Sequence, residues 1–231
     1  MTDARASGMQ RRRERILAEA RRIIGEAGYE GLSTRALAAA AGVTPPTLYN
    51  LIGNKEAILR ALQYETVAAI EARLAPLDDG PAIDRIEAIV EQSVELFSED
   101  EAFYRAGFLS GHELADPNSM GALGEIDARS VRVAARACEL ARRQGLLRGR
   151  LSSRFLAEQM FRGYRVPFDD WARGFVDLQT ARRQALTGIY CALAPDAVET
   201  FAAELLKRLG RLDAEGAAAT DIAAELLEAA P

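Results

Sequence analysis

The sequence predicts an all-α protein: a small N-terminal unit of three helices followed by a larger helical body. Three observations lead there. Apolar residues recur at helical spacing almost to the C-terminus. No segment alternates polar and apolar residues as a half-buried strand does. Alanine, leucine and arginine, all good helix formers, are abundant, while aromatic residues make up 6% of the chain. At 231 residues, 49% hydrophobic and 27% charged, the chain has enough material for one small and one larger globular domain.

The first helix carries Ile16, Ala20, Ile23, Ile24 and Ala27 on one face and Arg15, Glu19, Arg22 and Glu26 on the other. Ahead of it, Arg5 and Arg11-Arg12-Arg13 read either as a flexible basic arm toward a nucleic-acid backbone or minor groove, or as the solvated start of the helix. Residues 33–56, STRALAAAAGVTPPTLYNLIGNKE, then hold a short helix, a glycine turn, a second short helix and the opening of a third, without spare residues. Leu37, Ala38, Val43, Leu48 and Ile52 are spaced to bury between crossing helices, and Ala38 is small enough for a close crossing. Gly42 stands where the chain reverses, a position that favours positive φ. Thr44 offers a hydroxyl cap to the next helix, and Pro45 lacks the N–H that a first-turn residue leaves unpaired anyway.

With Leu48 and Ile52 inward, helical spacing turns Pro45, Pro46, Tyr49 and Asn50 outward, with Thr47 beside them near the N-terminal end. That is the layout of a helix-turn-helix DNA reader. The proline rings and the threonine methyl suit a thymine methyl, and Asn50 suits an adenine edge. The hydroxyls of Thr47 and Tyr49 suit phosphate oxygens, and Lys55 adds charge at the positive end of its helix. Arg35 is the candidate for a bidentate guanine contact.

Charge is distributed to match. The net charge is −5, yet residues 1–60 hold ten Lys or Arg against six Asp or Glu, a net +4, and the remainder carries −9. The N-terminal end is the one that favours phosphates.

These residues resemble the TetR family of bacterial transcriptional regulators. The resemblance rests on an alanine- and arginine-bearing first helix ending in Gly28-Tyr29, then Ser33-Thr34-Arg35, Ala41-Gly42-Val43, Thr47-Leu48-Tyr49 and Lys55-Glu56-Ala57-Ile58-Leu59. It covers roughly residues 10–62, about a quarter of the chain. It implies an all-helical homodimer whose small N-terminal domain binds double-stranded operator DNA and whose larger domain binds a small molecule and the second subunit. Position by position it implies that Thr34, Thr47, Tyr49 and Lys55 hold phosphates while Arg35, Pro45, Pro46 and Asn50 lie nearest the bases. Two departures from the family pattern stand out. Leu51 and Ile52 follow Asn50 where an aromatic residue or histidine is common, and Pro45 replaces a polar base reader, which gives DNA shape and methyl packing more weight. Repression is the family default.

The expected organisation is an N-terminal arm and helix-turn-helix domain over 1–54, a connecting helix over 55–74, an effector-binding and dimerisation domain over 75–212, and a tail with a short helix over 213–231. Asp78-Asp79-Gly80-Pro81 starts a helix with the stripe Ile83, Ile86, Val90, Val94 and Phe97. A further helix spans 101–111, and Asp116-Pro117-Asn118 reads as a loop. A longer helix over 119–143 turns Ile126, Val133, Ala137 and Leu140 inward and stops at Gln144-Gly145. Ser152 caps the helix to 173, the next spans 177–193, and Pro195-Asp196 opens one carrying Val198, Phe201, Leu205 and Leu209. Residues 213–219 read as a linker, with Thr220 capping a terminal helix. The helices over 152–173 and 177–193 are apolar on more than one face, and the resemblance assigns them the dimer interface.

Phe103, Tyr104, Phe108, His112, Met160, Phe161, Tyr164, Phe168 and Trp171 gather most aromatic and polarisable side chains of the body. Either they line an apolar effector pocket, with Tyr104, His112 or Tyr164 orienting the ligand, or they are core. No cofactor or metal is expected, because His112 is the single histidine and Cys138 and Cys191 stand alone as packed or free thiols. No catalytic constellation stands out. The N-terminus is polar and no stretch has the apolar length of a membrane span, so the expected location is cytoplasmic with no membrane partner. Two rival classes stay open on the residues: a helical protein-interaction module that has kept the turn without DNA binding, and an enzyme.

Overall fold

The computed structural model describes residues 2–113 and 124–228, with side chains over 6–110 and 124–218. The expected loop at Asp116-Pro117-Asn118, the start of the helix expected from Ser119 and the side chain of His112 lie outside them. Among the described residues there are ten α-helices, no strand, and one isolated bridge between Leu147 and Ala197. No described helix is long and apolar enough to cross a membrane. By compactness the chain divides into Met1–Ala72 with Glu95–Ala128, and Arg73–Val94 with Arg129–Pro231.

The first unit contains α1 (Thr2–Ala27), α2 (Thr34–Ala40), α3 (Pro45–Leu51), most of α4 (Lys55–Leu74), the end of α5 (Ala82–Glu99), α6 (Glu101–Glu113) and the start of α7 (Glu125–Arg143). The α1 helix begins at Thr2, so the backbone of the basic segment is helical rather than an extended arm; within it Arg11 donates to Ser7 one turn back. Ile16, Leu17, Ala20 and Ile24 of α1 are buried with Leu37 and Ala38 of α2, Leu48 of α3 and Ile58, Leu59 and Leu62 of α4. Ala27, expected inward, is exposed because α1 ends there, one residue before Gly28 takes φ 70°. The α6 helix packs on α1. Gly25 faces Phe103 and Asp100, the Arg21 guanidinium lies 4.1 Å from the centre of the Phe103 ring, and Arg21 Nη1 donates to the Tyr104 hydroxyl.

The second unit contains the rest of α4, α5 and α7, then α8 (Ser153–Ala172), α9 (Leu178–Leu193) and α10 (Glu199–Glu228). The α8–α9 pair dominates it, crossing at two glycines. A Cβ on Gly163 would lie 2.9 Å from the Gly188 carbonyl carbon, and one on Gly188 would lie 2.8 Å from Gly163 Cα, so backbone meets backbone there. Ser152 and Asp177 cap these helices as acceptors from Phe155 N–H and Thr180 N–H. Asp196 is fully buried; its carboxylate accepts from the N–H groups of Gly149, Arg150 and Leu151, tying the α7–α8 turn to the start of α10. Gln144 clasps the start of α5 by accepting from Ala82 N–H and donating to Gly80 O. Arg182 forks onto Glu91, and Glu87 receives both Tyr190 and Arg208, fastening α9 and α10 to α5. The linker expected over 213–219 is absent, and α10 runs through it to Glu228. Alanine at four of the residues 214–219 supplies helix propensity that the single Gly216 does not cancel.

Candidate nucleic-acid interface

The turn between α2 and α3 forms as its residues dictate. Ser33 accepts from Ala36 N–H at the head of α2, and Gly42 takes φ 62°, which lets Val43 N–H reach back to Ala38 O at 2.9 Å. Thr44 accepts from Thr47 N–H, and the two hydroxyls bond each other at 2.8 Å, so the Thr47 hydroxyl points at the cap. Pro45 and Pro46 fill the first turn of α3. Leu48 is the side chain of α3 that is buried, while Leu51 and Ile52 are half-buried.

The outer face carries what remains. Thr34, Arg35, Thr44, Pro45, Pro46 and Asn50 are exposed, and Tyr49 keeps 66% of its surface, a large value for an aromatic side chain. These residues share one side of the α2–α3 pair, opposite Leu37, Ala38 and Leu48. Lys55 heads α4, whose first turn Asn54 caps by accepting from Ala57 N–H. Its Nζ lies 4.1 Å from the centre of the Tyr29 ring and 3.4 Å from Glu30 Oε2, which holds the ammonium at the head of α4.

Two further residues were not legible as parts of this surface. Arg13 Nη1 donates to Leu51 O at 3.2 Å and Arg15 Nε donates to Ala41 O at 2.7 Å. The sequence places both on a polar stretch of α1, and nothing local signals a partner 38 or 26 residues away.

The aromatic residues of the body fall into two described clusters. In the first unit Phe97, Phe103, Tyr104 and Phe108 stack at centroid distances of 4.8–5.5 Å, with Phe103 and Tyr104 buried against α1. In the second, Tyr164 lies 4.7 Å from Phe168, which meets Trp171 edge-on. The Tyr164 hydroxyl donates to Ser93, which donates on to Ile89 O, and burial pushes the phenol well above its usual range. Met160 is buried beside Cys138, whose Sγ lies 3.4 Å from its Sδ, and Phe161 is half-buried. Burial pushes the Cys138 thiol up to about 12.

Fold and site together define an all-helical protein with a helix-turn-helix head. Residues 16–62 match the family model described as bacterial regulatory proteins, tetR family. Tetracycline repressor protein class D of Escherichia coli is 43% identical over 56 residues, 24% of this chain and 26% of that protein. Class H from Photobacterium damsela subsp. piscicida gives the same figures, so the chain matches about a quarter of the length of these curated relatives. A putative TetR-family transcriptional regulator from Rhodococcus sp. is similar in fold with a TM-score of 0.63 at 20% identity, over 79% of this chain and 98% of that one. The fatty acid degradation regulator FadR from Bacillus halodurans aligns with a TM-score of 0.62 at 18% identity, over 78% and 94%. Over residues 16–62 the chain is similar to the TetR family, and over most of its length it shares the fold of solved proteins described as TetR-family regulators.

Proposed function

We propose that the chain is a DNA-binding transcriptional repressor that acts as a homodimer and leaves its operator when a small, largely apolar effector binds. The observation that carries this reading is the outer face of α3: Pro45, Pro46, Tyr49 and Asn50 stand exposed at the segment shared with the family, held out by a buried Leu48. Thr34, Thr47, Tyr49 and Lys55 hold phosphates, while Arg35, Asn50 and the prolines read bases and methyl groups. Thr44 fixes the helix start that presents them. The match to two proteins named as tetracycline repressors supports repression.

Dimerisation uses α8 and α9. Phe155 and Val166, 48% and 59% exposed, lie three turns apart on one stripe of α8, a pattern that a second copy would cover. A two-fold pair sets two α3 helices in successive major grooves one turn apart. Effector binding among the body aromatics favours a dimer state whose reading helices no longer match that spacing, which requires unequal affinity for the two states.

Selection from random duplex DNA followed by fluorescence titration tests this reading. The expected result is a palindromic site whose half-sites lie one helical turn apart, bound with an affinity that falls steeply with salt. Absence of salt-dependent affinity for any duplex would sink it in favour of the interaction module.

A further inference from the structure

We propose that Arg13 and Arg15 are positioning residues for DNA reading: from α1 they hold the carbonyl ends of α3 and α2, and thereby set the angle at which α3 stands. This rests on the function proposed above. The α3 helix has seven residues, too few to be stable by itself, so its orientation comes from what it touches. Leu48 is its one fully buried side chain, and with Leu51 and Ile52 only half-buried the apolar contact alone resists rotation about that pivot weakly. A second fixed point is needed.

Hydrogen bonds supply it at both ends. At the N-terminal end, Val43 N–H on Ala38 O and the Thr44 cap tie α3 to α2. At the C-terminal end, Leu51 O is among the carbonyls that have no partner within the helix, and Arg13 donates to it. Arg15 does the same for Ala41 O, at the C-cap of α2 just before Gly42. Each guanidinium therefore sits where a helix dipole is negative, and each bond is directional where the apolar contact is not. Arg13 also faces Glu65 of α4: burial raises that carboxyl, and the charges of Arg21 and Arg13 oppose the rise. Arg12, which precedes them, stays exposed.

The test measures operator affinity of R13Q and R15Q across a salt series, with R13K alongside, and amide hydrogen exchange of the free proteins. Loss of an anchor is expected to weaken operator binding about tenfold or more, with the slope of log K against log salt unchanged. Discrimination against scrambled DNA should narrow, and exchange at Leu51 and Ile52 should quicken in R13Q without DNA. R13K, which keeps a charged donor, should restore most of the affinity, and it carries the test if the glutamine variant loses helix content. A slope lower by about 0.9 per arginine would make them phosphate ligands and overturn the proposal. So would unchanged affinity and exchange in both glutamine variants. Wild-type protein without DNA affinity would instead overturn the function on which the proposal rests.

Discussion

Lys55 spends its charge twice. Its ammonium rests on the Tyr29 ring and on the exposed carboxylate of Glu30 before any nucleic acid arrives. An exposed pair of this kind is worth about 0–1 kcal/mol, so Glu30 is a mild competitor of a phosphate. Glu30→Gln is expected to tighten DNA binding by about threefold, whereas Lys55→Ala weakens it and lowers the salt slope by about 0.9. Titration of both variants across a salt series checks this, and weaker binding by Glu30→Gln would show that the carboxylate positions the lysine instead. Cys138 is the residue-scale contrast. With its thiol raised to about 12 it is protonated at pH 8, and only the thiolate reacts. Mass spectrometry after alkylation at pH 8 should find Cys138 unmodified in the native protein and modified in urea. Because its charged form is disfavoured in the fold, this group lowers stability only as pH rises above the unfolded thiol value and toward its raised native one.

At the scale of elements, the caps at Thr44 and Ser152 were readable because they are local. Both, like Ser33 and Asp177, act on an N–H three residues ahead, and Gly42 and Gly145 take the positive φ that their turns require. The Gly163–Gly188 crossing was not readable, because a glycine within a helical pattern looks like a weak helix residue until its partner is known. Gly188→Ala puts a methyl into the Gly163 backbone and is expected to cost about 1–3 kcal/mol, a fall of several degrees in Tm. Calorimetry decides it, and an unchanged Tm would mean that the helices separate freely. The Asp196 carboxylate was equally hidden: its three N–H donors lie 45 to 47 residues earlier in the chain. The α10 helix shows the opposite error, since a stretch rich in small residues was read as a linker although alanine favours helix.

For the whole molecule, the proposed dimer gives the sharpest prediction. Val166 is 59% exposed on α8, so replacing it by glutamate leaves the protomer's core untouched. Val166→Glu should sediment as a monomer, keep its helical circular dichroism and lose most of its affinity for a palindromic operator, because two half-sites then bind independently. A variant that stays dimeric would move the interface off this stripe. Phe175, 72% exposed just beyond α8, lies outside the helical stripe and serves as the control position, where glutamate should leave the dimer intact.

By itself the sequence determined the helical class, the boundaries of most helices and the residues on the outer face of the reading helix. All of these follow from periodicity, caps and turn chemistry acting within a few residues. It also carried the likeness to the TetR family, because residues 16–62 keep their motif in unbroken order. Tertiary structure alone decided the glycine crossing of α8 and α9, the burial of Asp196, the hold of Glu30 on Lys55, and the bonds of Arg13 and Arg15 to Leu51 O and Ala41 O. Those are pairings between distant residues, and a spacing rule contains no term for where a chain returns to itself.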